Sequence, residues 1–269
     1  MQLECYKYQG TGNDFVLIDN REKTISLTAN QIKWLCDRRF GIGADGLILL
    51  ELEPGIDFKM VYFNSDGNES SMCGNGGRCI TAFAKHLGII SDTAKFLAID
   101  GIHEAKITNG IISLKMNDVR QVEVGEDFFY LNTGSPHYVK FVNDIENVNV
   151  LEEGKKIRYN NRFAAEGANV NFIEKKDNEL FVRTYERGVE NETLSCGTGV
   201  TAAALVAAFK GQSTDKNNCA IKTLGGNLNV KFDKVLENTF YNIWLEGPAN
   251  FVFKTIIDIP EDKKQSKNS

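Results

Sequence analysis

Two cysteines of the 269-residue chain stand in sequence contexts that match each other. The segment around Cys73 reads NESSMCGNG (residues 68–76), and the segment around Cys196 reads NETLSCGTG (191–199). Both follow the pattern N-E-[ST]-x-x-C-G-x-G, and farther upstream Tyr62 aligns with Tyr185 without a gap. We interpret the chain as an internal duplication with one cysteine in each half. Since a thiolate can take a proton and a thiol can return one, the duplication predicts a pair of acid/base groups.

Each cysteine is expected at the start of a helix. An apolar stretch follows each of them, ITAFA (80–84) and TAAALVAA (201–208), and the glycines at 88 and 211 are typical helix ends. A strand is predicted before each cysteine, at residues 58–63 and 180–185, where β-branched and aromatic residues are frequent. The second helix is apolar all round, so we expect it to be buried.

A helix start offers unpaired N–H groups and the positive end of the helix dipole. Two expectations follow for Cys73 and Cys196. The thiol pKa values should be lowered, and the glycine-flanked N–H groups should be able to hold a carboxylate. A carboxylate held between two such helix ends would have its α-carbon flanked by two thiols. That geometry suits removal of a proton from one face and its return to the other.

The chain resembles the diaminopimelate epimerase family over about residues 3–259. The resemblance rests on the two cysteine motifs together with five further segments in the expected order: GTGNDF (10–15), NSDG (64–67), GSPH (134–137), GANVNF (167–172) and ERG (186–188). It implies an α/β (α+β) fold of two pseudo-symmetric domains, each a sheet wrapped around a central helix, with the active site in the cleft between them.

The resemblance also implies an activity. It is the interconversion of LL- and meso-diaminopimelate without pyridoxal phosphate (PLP), by a two-cysteine acid/base mechanism, in the synthesis of lysine and a cell-wall precursor. No cofactor and no metal are expected. The resemblance further implies a homodimer that acts on a small molecule.

Residue roles carry over from the family by position. Cys73 and Cys196 would be the two acid/base groups, and His137 and Glu186 would tune their pKa values. The resemblance also implies three groups of substrate contacts: the reacting carboxylate with Gly74, Asn75, Gly197 and Thr198; the reacting amino group with Asn13 and Glu186; and the distal amino-acid end with Asn64, Asn169 and Arg187. The chain departs from the family at Ser135, where asparagine is frequent.

The domain boundaries are predicted from the same duplication. We expect one half to comprise residues 1–117 with 251–260 and to carry Cys73, and the other half to comprise residues 118–250 and to carry Cys196. Residues 261–269 are polar and are expected to form a flexible tail.

The composition narrows the function classes. A net charge of −5 with no basic stripe argues against nucleic-acid and anionic-membrane partners. The six cysteines form no CxxC pair, the three histidines stand alone, and the N-terminus does not look like a signal peptide. We therefore expect a cytoplasmic, soluble protein with reduced thiols.

A G-x-G-x-x-G match at residues 41–46 is a weak sign of a dinucleotide site. Such a site needs a strand before the motif and a helix after it. Here the order is reversed, because a capping box at residues 28–31 opens a helix before the motif and an apolar strand follows at 47–50. The segment is therefore interpreted as a helix-to-strand loop beside the cleft.

Two alternatives stay open at this point. A proline racemase or hydroxyproline epimerase of the same superfamily would also use two cysteines, but its substrate has no distal amino-acid end for Asn64, Asn169 and Arg187. A thiol redox or metal-binding protein would account for the cysteines, but not for two matching C-G-x-G helix starts.

Overall fold

The computed structural model describes residues 1–70, 72–213, 215–236 and 238–261. Within these ranges the helices are α1 (Ala29–Cys36), α2 (Gly74–His86), α3 (Val150–Arg158) and α4 (Gly197–Phe209), with a 3-10 turn at Ile145–Asn147. The strands are β1 (Gln2–Gly10), β2 (Asn13–Asp19), β3 (Gly46–Glu51), β4 (Phe58–Asn64), β5 (Thr93–Ala98), β6 (Gly101–Thr108), β7 (Ile111–Lys115), β8 (Glu123–Val124), β9 (Phe129–Asn132), β10 (Pro136–Phe141), β11 (Asn169–Lys176), β12 (Glu179–Glu186), β13 (Asn191–Thr193), β14 (Asn218–Thr223), β15 (Gly226–Leu236), β16 (Thr239–Gly247) and β17 (Asn250–Asp258).

The strand pairing repeats between the two halves. In the first half β2–β3 is parallel, β3–β4 antiparallel, β4–β5 parallel, and β5–β6 and β6–β7 antiparallel. In the second half β10–β11, β11–β12, β12–β14, β14–β15 and β15–β16 follow the same order of parallel and antiparallel pairs. The two cysteine-bearing helices occupy equivalent places in this order, so the predicted fold class of two pseudo-symmetric units is confirmed.

The two halves are joined by the antiparallel pairing of β7 with β16, in which Leu114 lies opposite Leu245. The last strand, β17, pairs with β1 and so returns to the first half. The division at residues 117 and 250 stays a prediction. Of the expected flexible tail, residues 262–269 lie outside the described residues.

Each half surrounds one central helix. Helix α2 packs against β1, β2, β3 and β7, and α4 packs against strands of the second half, including β10, β11 and β15. As predicted, α4 is buried, with every residue except Thr198 and Phe209 inside. One apolar core runs through both halves, because Phe83 of α2, Leu205 of α4 and the Leu114–Leu245 pair belong to the same buried cluster.

The loop between α1 and β3 has the order that the sequence indicates. Thr28 and Gln31 form the predicted capping box at the start of α1, and β3 begins at Gly46 directly after the loop. The G-x-G-x-x-G match is therefore a helix-to-strand loop, as predicted. Among the described residues no helix has the length and apolar character that crossing a membrane requires.

Candidate active site

Cys73 is the N-cap residue of α2 and is half-buried. Its backbone is extended, with φ −94° and ψ 131°, as is usual for a residue that precedes the first turn of a helix. Its Sγ lies 3.5 Å from Oδ1 of Asn13 and can donate a hydrogen bond to that oxygen. The N–H groups of Asn75 and Gly76 lie close enough to favour the thiolate, although neither makes a regular capping hydrogen bond.

Cys196 has the equivalent place at the start of α4 and is buried. Its Sγ lies 3.5 Å from Oγ1 of Thr198, and the N–H of Gly199 also favours its thiolate. The helix begins with glycine at both sites, which leaves the first-turn N–H groups uncovered by a side chain. Both predicted helix starts are confirmed.

The two thiols open into one cavity of about 880 Å³ between the halves. Ten of the twelve residues predicted to form the site line it, and only Asn75 and His137 are missing from its wall. The ten residues are Asn13, Asn64, Cys73, Gly74, Asn169, Glu186, Arg187, Cys196, Gly197 and Thr198. The fold therefore brings residues from both halves to one site.

Asn75 is buried below the cavity wall and connects the two halves. Its Nδ2 donates to Oδ1 of Asn13, at 3.2 Å, and to the backbone carbonyl of Ser195, at 2.9 Å. The side chain of Asn75 is thus occupied by the protein. Its backbone N–H, in the first turn of α2, is still suited to an anion.

Glu186 ends β12 and its carboxylate is held by Thr193, whose Oγ1 donates to Oε2 at 2.9 Å. Burial raises the pKa of the Glu186 carboxyl, the Thr193 hydrogen bond opposes this, and Asp45 adds to it. The negative charge of Glu186 in turn raises the pKa of both Cys73 and Cys196. Glu186 therefore lies close enough to influence the pKa of both thiols, and its role in the reaction stays a prediction.

The thiol pKa values differ from the sequence-based expectation. Burial is the largest influence on both Cys73 and Cys196 and raises their pKa, and the charge of Glu186 raises it further. The helix-end N–H groups act in the expected direction, but they do not outweigh the loss of water around a buried thiolate. The prediction of lowered pKa values was wrong for this structure, because it considered the helix ends without the burial.

His137 lies on β10 under the cavity. It is fully buried, and its Nδ1 lies 3.1 Å from Nδ2 of Asn171, which donates to it. The tautomer that fits this bond carries its proton on Nε2, which has no hydrogen-bond partner among the described residues. Burial, with a smaller effect of Arg187, lowers the pKa of His137 to about 3. The imidazole is therefore neutral and provides no positive charge for a thiolate.

The residues predicted for the distal end of the substrate lie at one side of the cavity. Asn169 Nδ2 donates to Ser135 Oγ at 2.9 Å, and Asn169 Oδ1 accepts from the Arg187 backbone N–H at 2.9 Å. The Arg187 side chain is exposed, and its Nη1 donates to the Glu166 carbonyl. Ser135 and Asn64 also line the cavity. No ion pair of Arg187 is found within the described ranges.

Several residues of the cavity wall were not predicted. Arg38 and Asp45 come from the helix-to-strand loop, Tyr62 from the end of β4, and Thr193 and Leu194 from the segment before Cys196. Arg38 binds Asp14 and Asp45, with N–O distances of 2.7 Å to each. The sequence signal for these two residues was the G-x-G-x-x-G match, which Arg38 precedes by three residues and which contains Asp45.

Groups of three or more histidine, cysteine, aspartate or glutamate side chains that could hold a metal ion are not found within residues 1–70, 72–213, 215–236 and 238–261. Cys5, Cys36, Cys73, Cys79 and Cys196 are free thiols. Four cysteines do not line the cavity and are buried in the core: Cys5, Cys36, Cys79 and Cys219.

Comparison with known proteins gives the family. The family model described as diaminopimelate epimerase matches residues 5–124 and 129–252. The chain is 54% identical over 259 residues to a diaminopimelate epimerase of Flavobacterium psychrophilum, with 95% of this chain and 100% of the relative covered. It is 41% identical over 259 residues to a diaminopimelate epimerase of Chlorobaculum tepidum, with 93% and 99% covered.

Solved structures with low sequence identity share the fold. A PhzF-family phenazine biosynthesis protein of Bacillus anthracis matches with a TM-score of 0.71 at 15% identity, covering 96% of this chain and 100% of that one. A hydroxyproline epimerase of Agrobacterium vitis matches with a TM-score of 0.70 at 13% identity, covering 97% and 94%. These likenesses show the architecture, and the family follows from the sequence matches. The chain therefore belongs to the diaminopimelate epimerase family of isomerases.

Proposed function

We propose that this protein interconverts LL- and meso-diaminopimelate at one α-carbon without PLP, with Cys73 and Cys196 as the two acid/base groups. The observation that carries the proposal is that two equivalent helices, one from each half, begin at a cysteine and open into the same cavity. The relatives named diaminopimelate epimerase, which align with 95% and 93% of the chain, support the choice of substrate.

The proposed reaction is a proton exchange across two faces of one carbon. One cysteine, as thiolate, takes the α-proton and becomes a thiol, and the C–H electron pair moves toward the adjacent carboxylate. The other cysteine, as thiol, gives its proton to the opposite face of the same carbon and becomes a thiolate. No other reactant is consumed, and the reverse reaction exchanges the two roles.

Four backbone positions at the two helix starts are suited to the charge that develops in this reaction. The N–H groups of Gly74, Asn75, Gly197 and Thr198 belong to first turns, where they have no partner in the helix. Hydrogen bonds and helix dipoles at these positions stabilise negative charge on the reacting carboxylate, most strongly when the proton has left.

The other predicted contacts distribute over the two ends of the substrate. We propose that Asn13 and Glu186 receive the reacting amino group, and that Asn64, Asn169 and Arg187 recognise the distal end. The guanidinium of Arg187 can accept a planar carboxylate through two parallel hydrogen bonds. A bound ammonium group beside Glu186 would offset the charge that raises the thiol pKa values.

We also propose a homodimer formed through β17. Residues Phe251, Val252, Phe253 and Ile256 of this strand are 47%, 52%, 41% and 63% exposed, an apolar set that a monomer leaves in water. Strand β17 pairs only with β1 among the described strands, so its other edge is unpaired. Analytical ultracentrifugation of Phe253→Asp tests this, with Ile99→Asp, at an exposed position outside β17, as the control.

The proposed setting is the cytoplasm, where the six cysteines of this chain would stay reduced. The proposed ligand is a small amino acid, and the net charge of −5 gives no support to a nucleic-acid partner.

The decisive experiment is turnover of LL-diaminopimelate by protein that is free of metal and PLP. We expect meso-diaminopimelate to accumulate, and we expect no reaction from Cys73→Ala or Cys196→Ala. Cys36→Ala is the matched control, because Cys36 is a buried thiol away from the cavity. Turnover of L-proline with no turnover of diaminopimelate would contradict the proposal.

A further inference from the structure

Arg78 carries a buried charge that the proposed mechanism does not use. The residue lies in the second turn of α2 with 0% of its surface exposed, and no carboxylate pairs with it in the described part of the chain. A buried guanidinium is costly unless its donors are satisfied. Its partners are neutral acceptors: the carbonyls of Gly74 (3.4 Å) and Pro248 (3.3 Å), Thr11 Oγ1 (3.2 Å) and Asn75 Oδ1 (3.0 Å).

The bond from Arg78 to Asn75 begins a series of hydrogen bonds that ends at a carboxylate. We call this series, which joins Arg78, Asn75, Asn13 and Asp45, the amide chain. Arg78 Nη2 donates to Asn75 Oδ1, and Asn75 Nδ2 donates to Asn13 Oδ1. Asn13 Nδ2 then donates to Asp45 Oδ2 at 2.6 Å. Every bond of the chain therefore runs in one direction, from the guanidinium to the carboxylate.

The charged ends allow only one orientation of the two carboxamides. A guanidinium has donors only, and an ionised carboxylate has acceptors only. If the carboxamide of Asn13 were rotated so that Oδ1 and Nδ2 exchanged places, its oxygen would face the Asp45 carboxylate and its NH₂ would face the NH₂ of Asn75. If Asn75 were turned over, its NH₂ would face Arg78 and its oxygen would face the Ser195 carbonyl. Each reversal would place a donor against a donor on one side of the carboxamide and an acceptor against an acceptor on the other side.

The amide chain contacts both segments that carry the thiols, one in each half of the protein. Asn13 Oδ1 is the atom that lies 3.5 Å from Cys73 Sγ, so Cys73 meets an acceptor on this side. Asn75 Nδ2 also holds the carbonyl of Ser195, the residue before Cys196, in the other half. We propose that Arg78 and Asp45 are positioning residues, which from the two ends of this chain fix both carboxamides and so hold the thiol-bearing segments of the two halves in place.

Asp45 is itself held in position by two groups that are not part of the amide chain, Arg38 and the backbone of Asp14. The residue is exposed, its Oδ1 accepts from Arg38 at 2.7 Å, and its Oδ2 also accepts from the backbone N–H of Asp14 at 3.2 Å. This inference rests on the proposed function only for its kinetic test, since the direction of the hydrogen bonds is a property of the protein without substrate.

The kinetic test is a double-mutant cycle between two residues that have no hydrogen bond or ion pair with each other. We expect Arg78→Gln and Asp45→Ala each to lower kcat for diaminopimelate about tenfold or more, with a smaller change in KM, because reacting groups move out of line. Once either Arg78 or Asp45 is replaced, the two carboxamides are no longer fixed, so replacing the other residue should add little to the loss of kcat. The double variant should therefore lose about as much as the more impaired single variant, well short of the product of the two losses.

Asp92→Ala combined with Arg78→Gln is the control cycle. Asp92 is exposed and pairs with Lys85 of α2, away from the chain of amides, so its loss should leave kcat unchanged and combine with Arg78→Gln additively. Multiplicative losses in the Arg78–Asp45 cycle, or kcat close to wild type in both single variants, would overturn the proposal.

A second measurement does not depend on activity or on the folding of an Arg78 variant. In the wild-type protein we expect the carboxamide protons of Asn75 to exchange with solvent far more slowly than those of exposed Asn109, by ¹⁵N side-chain NMR. Asp45→Ala should speed the exchange at Asn75. Equal exchange at Asn75 and Asn109 would overturn the proposal. If wild-type protein fails to epimerise while the exchange results hold, only the proposed function is at fault.

Discussion

Gly74 and Gly197 bring the starts of the two central helices into backbone contact. A Cβ on Gly74 would lie 3.5 Å from the Cα of Gly197, and a Cβ on Gly197 would lie 3.3 Å from the Cα of Gly74 and 3.0 Å from Cδ2 of Leu245. The N–H groups that we propose to bind the reacting carboxylate therefore lie close together at the starts of α2 and α4, with no side chain of Gly74 or Gly197 between them. A methyl group on Gly197 would require Gly74 and Leu245 to give way by a few tenths of an ångström, whereas a methyl group on Gly74 would crowd only Leu245.

We therefore expect Gly197→Ala to lower kcat/KM by about a hundredfold, the scale of loss that misplaced reacting groups cause. The fold should persist, because the remainder of α4 is buried as before. Steady-state kinetics together with circular dichroism check this. Wild-type kinetics in Gly197→Ala would show that close contact of the helix starts is not needed.

The two-thiol mechanism predicts opposite preferences in the single cysteine variants. With a substrate analogue that carries a leaving group beside the α-carbon, elimination needs only one base. Cys73→Ala and Cys196→Ala should each process the stereoisomer whose α-hydrogen faces the remaining thiol, while neither epimerises diaminopimelate. Chiral chromatography of the remaining analogue measures the preference, and the same preference in both variants would contradict the assignment.

Glu186 provides a prediction for pH. Its carboxylate raises the pKa of both thiols, since a negative charge opposes a neighbouring thiolate. In Glu186→Gln the pKa of each thiol should fall, so the rise of iodoacetamide alkylation with pH should move to lower pH. Glu192→Gln is the control, because Glu192 lines the same cavity but is paired with Arg183 at 2.6 Å. A shift to higher pH, or the same shift in both variants, would contradict this.

Oxidation should join the two thiols. Cys73 and Cys196 face one cavity, and a mild oxidant is expected to inactivate the substrate-free protein through a Cys73–Cys196 disulfide that a reductant reverses. Because the thiol pKa values are raised, inactivation should accelerate as the pH increases. Peptide mapping checks the bond, and diaminopimelate should protect. Inactivated protein with both thiols free would rule the disulfide out.

Arg187 offers a test of distal recognition. Arg187→Lys keeps the charge but loses the planar fork, and we expect kcat/KM for diaminopimelate to fall about tenfold or more, which is about 1.4 kcal/mol or more. Arg158→Lys is the control, since Arg158 is a neighbouring arginine outside the cavity wall. Unchanged kinetics in Arg187→Lys would mean that another residue binds the distal carboxylate.

Local patterns were enough to predict the elements that present the thiols. Glycine after each cysteine, an apolar run and a second glycine mark the bounds of α2 and α4, and the strands before them follow from β-branched and aromatic residues. These signals lie within about 30 residues of chain. The duplication could be predicted for the same reason, because it is a comparison of two short segments.

Properties that depend on contacts distant in sequence could not be predicted in this way. The thiol pKa values follow from burial and from Glu186, which the folded sheet brings to Cys73 from more than a hundred residues away. The burial of Arg78 and its chain to Asp45 depend on strands β2 and β3 packing beside α2. His137 was expected near the thiols as a tuning group, but its neutral, enclosed state follows from neighbours that the motif does not contain.

The antiparallel pairing of β7 with β16 has a consequence for how the two faces of a bound carbon differ. Equivalent strands that pair antiparallel, with Leu114 opposite Leu245, have the relation of one strand to its own copy across a two-fold axis. A carbon placed near that axis would face a cysteine at a helix start from either direction. Side chains are among the groups that distinguish its two faces: Asn13 lies beside Cys73, and Thr198 lies beside Cys196. The choice between the two faces of a carbon in this cavity therefore depends in part on these polar side chains.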